Sequence, residues 1–331
     1  MIPHSLPGVG IIASENRRDF LELPETADGL WKRGESGVVA ILATRDQKVE
    51  FLVFEEKTLA RIKSALGPDA LYPLWDDVFS PPAEAVLMDL DGTSVRSEHF
   101  WMWIIEKTIA RLMGQLSFQL DPADEPHVSG HSVSEHLHYC IDKYCSGRDI
   151  AEARRLYFET TELEMAEIVA GRGRVDAFHP SPGLKEFLGE LKSRGIKIGL
   201  VTSGLYQKAW PEILSAFRVL GMGNPLDFYD TIITAGTRLT RGQTGTLGEL
   251  APKPHPWLYA ETAYVGLGIK KERRHRVIGL EDSGAGVVSL RLAGFAVIGL
   301  AGGNIPGSGM RPLLRAECGS LLEALPIILG T

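Results

Sequence analysis

Ala85-Val86-Leu87-Met88-Asp89-Leu90-Asp91-Gly92-Thr93 is the stretch that decides the fold. Four apolar residues without polar alternation run directly into two carboxylates two residues apart. A short uninterrupted apolar run suits a strand buried on both faces of a parallel sheet. In such sheets ligands sit beyond the carboxyl ends of the strands, so Asp89 and Asp91 are expected at a site. A lone pair of aspartates is also what a solvated turn looks like, and the rest of the chain has to decide. A calcium loop starting at Asp89 would need glycine sixth and glutamate twelfth; those places hold Ser94 and Phe100.

Outward from this stretch the same unit recurs. Apolar runs at Ile196–Val201, Thr231–Thr234, Arg276–Leu280 and Phe295–Leu300 read as further buried strands, separated by helical patterns. In Leu184–Arg194, Leu184, Phe187, Leu188 and Leu191 line one helix face, with Ser181 as the expected N-cap and Gly195 as the stop. Alternation of strand and helix predicts an α/β fold, a doubly wound parallel sheet of Rossmann-like type. Residues 97–180 carry helical patterns and no convincing strand, predicting an inserted helical domain. Residues 84–96 and 181–331 then form the α/β core. Residues 1–83 are expected to be an extra α+β module: a hairpin of Val38–Thr44 and Val49–Phe54, then a helix from Lys57 to Leu66 stopped by Gly67. A hairpin alone cannot bury its apolar face, so this module is expected to extend the main sheet or to mediate a homo-oligomer.

Composition narrows the partners. The 331 residues include 35 basic and 42 acidic side chains, a net charge of −7, with 44% apolar residues. Such a chain lacks the basic field that nucleic acid or an anionic membrane would demand. No apolar run approaches the ~20 residues needed to span a bilayer. The start has no basic segment leading into a long apolar one, so no signal peptide is expected. Three cysteines, Cys140, Cys145 and Cys318, suit reduced thiols and a cytoplasmic location better than a disulfide framework.

Three more stretches carry chemistry. Thr202-Ser203-Gly204 follows an apolar strand and offers a hydroxyl and backbone N–H groups suited to phosphate oxygens. Lys253 stands in Pro252-Lys253-Pro254-His255-Pro256, where the prolines bar helix and stiffen the loop. Glu281-Asp282-Ser283-Gly284 follows the run ending at Leu280.

In that order the four stretches DLDGT, VTSG, KPHP and GLEDSGAG resemble the four motifs of the haloacid dehalogenase-like superfamily, over about residues 84–305. The helical insertion resembles the cap of its phosphoglycolate phosphatase and β-phosphoglucomutase branch. The resemblance implies a phosphoric monoester hydrolase acting on a small phosphorylated metabolite, with Asp89 as nucleophile and Asp91 as acid and then base. Lys253 and Thr202, with N–H groups near Leu90 and Ser203, would hold the phosphoryl oxygens. Four carboxylates beside a dianionic phosphate require a cation, and an all-oxygen site suits Mg²⁺. By the resemblance Asp89, the Asp91 carbonyl and Asp282 ligate it, with Glu281 assisting. In that branch a glycine-containing loop before a cap helix reads the leaving group, which makes Gly130 and His131 substrate candidates.

Rival readings fare worse. Gly284-Ala285-Gly286 suggests a dinucleotide loop, but the third glycine place is Ser289 and two carboxylates precede it. His131, His136, His138 and Cys140 suggest zinc, yet only His136 and Cys140 share a helix face. Within the superfamily, dehalogenases lack the second aspartate that Asp91 supplies. Phosphonatases use a cap lysine, and none occurs between Lys143 and Lys185. That gap also weakens a β-phosphoglucomutase reading, which stays the alternative as a phosphotransferase. A regulatory binding protein working through residues 1–83 is the other alternative.

Overall fold

The computed structural model describes residues 5–12, 16–63, 68–124, 133–235 and 251–331. Contacts divide the chain into two compact units: residues 1–94, 181–206 and 226–331, and residues 95–180 and 207–225.

In the first unit a short ribbon of β1 (Ser5–Leu6) and β2 (Gly10–Ile11) precedes an antiparallel sheet. That sheet runs in sequential order through β3 (Leu21–Leu23), β4 (Ala40–Ala43), β5 (Val49–Val53), β6 (Thr58–Ile62) and β7 (Ala70–Pro73). The expected hairpin is the β4–β5 pair, with Ala40 opposite Val53. The helix expected from Lys57 is instead β6, paired with β5 on one side and β7 on the other. Thr-Leu-Ala-Arg-Ile satisfies either period, and ladder pairing on both edges decides for strand. Burial of Arg61 explains why the helical reading misled: its guanidinium is paired with Glu50, Asp28 and Asp69 rather than turned to solvent. Gly67 lies outside the described residues.

The expectation of a sheet-edge extension is corrected as well. Among the described residues the five strands form their own sheet. Its inner face, with Leu42, Phe51, Val53 and Ile62, shares one apolar cluster with Val288, Leu290, Met310 and Leu313 of the core. Its outer face, with Ile41 and Leu52, is covered by Leu23 and Trp31. The hairpin therefore finds cover within its own chain. Each fully buried Leu or Phe there contributes about 1.5–3 kcal/mol, as in any core.

The core sheet is parallel, in the order β12 (Thr231–Thr234), β11 (Lys197–Thr202), β8 (Ala85–Asp89), β13 (Val277–Glu281), β14 (Ala296–Leu300) and β15 (Ala316–Cys318). The five apolar runs supply the first five strands, and β15 is too short and polar to be read in advance. Helix Leu184–Ser193 buries the four residues its periodicity predicts. It begins after Gly183, and Ser181 contributes its carbonyl to Leu184 N–H at 3.1 Å instead of a hydroxyl cap.

The second unit contains helices Glu98–Met113, Val133–Tyr144 and Ile150–Val169 and the small pair β9 (Val95–Arg96) with β10 (His179–Pro180). Phe100 packs on Phe178 at 4.4 Å between ring centres, and Trp103 carries both Lys107 and Arg174 over its ring, each at 4.4 Å. The stripe of Phe100, Trp101 and Trp103 thus belongs to this unit's packing. No helix among the described residues is long and apolar enough to cross a membrane.

Candidate active site

Strands β11, β8 and β13 are neighbours, and their carboxyl ends carry Thr202, Asp89 and Glu281. Register makes this a single edge: Asp89 stands beside Val201, and Leu280 beside Met88. A parallel sheet places these polar residues at the same end only because each apolar run stops at the same depth.

Lys253 closes the group. Its ammonium donates to Asp89 Oδ1 and, at 2.6 Å, to Glu281 Oε1, with the side chain only 6% exposed. Its backbone N–H donates to Ser203 Oγ at 3.1 Å, tying the Lys253 loop to the turn after β11. Asp282 completes a triplet: single oxygens of Asp89, Glu281 and Asp282 lie within 4.8 Å of one another.

Electrostatics in this group are severe. Burial, then the charge of Glu281, pushes the Asp89 carboxyl well above its usual range, against the pull of Lys253. Burial and Glu281 push Asp282 up to about 7. Burial would discharge Lys253, but Asp89 and Glu281 outweigh it and hold the ammonium charged. Asp91, half-buried, adds its charge to both Asp89 and Asp282. One ammonium among four carboxylates leaves the site short of positive charge, and an all-oxygen donor set of this size fits a hard divalent cation.

The carboxylates are not equivalent. Glu281 Oε1 accepts from Lys253 and, at 2.5 Å, from Tyr259 Oη, while Oε2 accepts from Ser283 N–H and Oγ at 3.2 and 2.9 Å. Four donors use the accepting capacity of that carboxylate. Asp89 and Asp282 are the better direct ligands, and Glu281 holds Lys253.

Two glycines make room. A Cβ on Gly92, at φ +81°, would stand 2.0 Å from Asp282 Oδ2. One on Gly286 would stand 1.8 Å from Glu281 Oε1. Only a bare backbone permits carboxylates this close.

Each expected site residue among the described ones has a place. Asp89, Lys253, Glu281 and Asp282 meet directly. Thr202 is buried and accepts Gly204 N–H at 2.9 Å, leaving its own hydrogen to donate. Ser203 joins through Lys253, and Leu90 is buried in the loop between the two aspartates, its carbonyl accepting Ser94 N–H at 2.9 Å. Gly130 and His131 lie outside the described residues. Sequence reasoning missed Tyr259, and its only local signal is an aromatic residue one turn into the segment that Pro256 starts. It also missed Ser94, whose hydroxyl donates to the Asp89 carbonyl at 2.6 Å.

A family model described as haloacid dehalogenase-like hydrolase matches residues 83–294. A solved haloacid dehalogenase-superfamily hydrolase of subfamily IA, variant 1, from Geobacter sulfurreducens is similar in fold at TM-score 0.53 and 17% identity, over 76% of this chain and 98% of that one. A predicted phosphoglycolate phosphatase from Haemophilus somnus gives 0.54 and 17%, over 75% and 98%. CbbY from Rhodobacter sphaeroides, solved with xylulose-1,5-bisphosphate, gives 0.50 and 20%, over 73% and 96%. Among the curated proteins no sequence matches.

Proposed function

The chain belongs to the haloacid dehalogenase-like hydrolase family, and on that premise we propose that it is a Mg²⁺-dependent phosphatase acting on a small phosphomonoester through an aspartyl-phosphate at Asp89. The observation that carries this reading is the Lys253 ammonium held between Asp89 and Glu281, beside Asp282, at the carboxyl ends of adjacent strands.

Phosphomonoester hydrolysis is slow enough unaided that a nucleophile, a proton carrier and charge neutralisation must act together. Asp89 supplies the nucleophile: one carboxylate oxygen bonds to phosphorus as the ester P–O bond breaks. Asp91 donates its proton to the departing alkoxide oxygen. Water then attacks phosphorus while Asp91 takes a proton back, the Asp89–phosphorus bond breaks and inorganic phosphate leaves. Asp89 must be ionised for the first step, and Lys253 works against the burial that would protonate it. Lys253 and Thr202, with N–H groups near Leu90 and Ser203, bind the phosphoryl oxygens where charge accumulates.

Asp89, the Asp91 carbonyl and Asp282 would hold Mg²⁺, with Glu281 assisting through Lys253. Bound there, the ion supplies charge neutralisation to the phosphoryl group and to the carboxylates around it. Asp91 itself argues for an alkoxide leaving group, since loss of a halide needs no proton.

A panel of phosphorylated metabolites and p-nitrophenyl phosphate, assayed with Mg²⁺ and with EDTA, tests the proposal. Turnover of at least one phosphomonoester that EDTA abolishes is expected. Absence of turnover across the panel, or turnover indifferent to EDTA, contradicts it. Transfer to a sugar phosphate faster than to water would favour the phosphotransferase alternative.

A further inference from the structure

The Lys253 loop is held from outside the catalytic core, by the edge strand of the N-terminal sheet. Tyr72 on β7 reaches the loop: its hydroxyl lies 3.0 Å from His255 Nδ1, and Trp257 Nε1–H donates to the same oxygen at 3.1 Å. The Tyr72 ring meets both partners edge-on, at 5.8 and 5.9 Å between centres. The phenol accepts from the indole and has its own hydrogen left to donate, which the Nε2–H tautomer of His255 would receive at Nδ1. Burial lowers the His255 pKa, which favours this neutral form.

Both ends of the brace are anchored to one helix. From Gly284–Leu292, which follows Asp282, Ser289 Oγ donates to the His255 carbonyl at 2.6 Å. Two residues on, Arg291, 3% exposed, donates to the Trp75 carbonyl at 2.8 Å and also to the Gly8 carbonyl. The strand carrying Tyr72 and the loop carrying Lys253 are thus fixed to the same support.

We propose that Tyr72 is a positioning residue for the phosphate-binding lysine, and that the N-terminal sheet works as a brace on the Lys253 loop. Only Pro254 separates Lys253 from His255, so a shift of the imidazole moves the ammonium relative to Asp89 and Glu281. Displacement of a binding group by about 1 Å is costly to catalysis. The kinetic half of the proposal rests on the phosphatase reading; the structural half does not.

The full-length Tyr72→Phe variant tests both, because it keeps the ring and removes the hydroxyl. Amide hydrogen exchange at Lys253, His255 and Trp257 should accelerate about tenfold. The inhibition constant for inorganic phosphate should rise about fivefold, with a smaller change in kcat. His255→Ala should behave likewise, while His255→Asn, whose amide oxygen can stand in for Nδ1, should lose less than half as much. These two variants carry the test if Tyr72→Phe does not fold. Unchanged exchange in the loop overturns the brace. Faster exchange with unchanged phosphate inhibition overturns the positioning role. Faster exchange in a protein whose unmodified form turns over no phosphomonoester upholds the brace and overturns the phosphatase reading instead.

Discussion

Tyr259 and Lys253 donate to the same oxygen of Glu281, and the lysine lies over the tyrosine ring, 5.0 Å from its centre. The buried carboxylate that binds Lys253 is thereby held by Tyr259, a residue with no part in the proposed bond changes. Removing the hydroxyl in Tyr259→Phe leaves Glu281 short of one donor. A hydrogen bond to a charged group contributes about 1.5–3 kcal/mol. If that is felt in the transition state, kcat/KM falls by roughly 10- to 100-fold. Steady-state kinetics with p-nitrophenyl phosphate measure it.

Gly92→Ala should be more damaging at the metal than to the fold. The left-handed backbone costs an alanine about 1–2 kcal/mol. Its methyl group would also force the Asp282 carboxylate aside, from a starting separation of 2.0 Å. Activity titrated against Mg²⁺ should show a half-saturating concentration at least about tenfold higher, as expected when 1.4 kcal/mol of ligand binding is lost.

Mg²⁺ should stabilise the protein through Asp282 and Asp89. A ligand at 100 times its dissociation constant adds about 2.7 kcal/mol. The expected result is a rise in Tm on adding Mg²⁺, reversed by EDTA and absent in Asp282→Asn. Differential scanning calorimetry of both proteins measures it.

Acid should act on the helical unit through Asp124. Burial opposes its charge, but hydrogen bonds from Lys143, Tyr139 and Tyr144 outweigh burial and hold its pKa at about 2. The folded value lies below the usual aspartate value of 3.8, so the stabilisation is full above pH 4 and is lost as pH falls towards 2. Asp124→Asn should therefore lower Tm at pH 7, and the gap to the unsubstituted protein should close below pH 4.

The fold and the core of the site were legible because their signals are local. Three of the apolar runs lead straight into a polar residue that the proposal uses, so Asp89, Thr202 and Glu281 announce themselves by what precedes them. Lys253 announces itself by the prolines around it. β6 was misread because Thr58–Ile62 fits two periods, and its pairing partners lie outside the window that defines a period. Tyr72 was invisible for a stronger reason: it lies 183 positions from His255 in the chain and carries no motif of its own. The role of Tyr259 was hidden likewise, since an aromatic residue on a buried helix face reads as packing. Gly130, His131 and most of the stretch from Ala235 to Leu250 lie outside the described residues.

The most direct measurement is to quench the enzyme with acid during turnover of a ³²P-labelled phosphomonoester that it hydrolyses, and map the labelled peptide. The label should sit on Asp89, and Asp89→Asn should lose both the label and turnover by about 10³-fold or more. A label on another residue, or an Asp89→Asn enzyme that still turns over, would contradict the account.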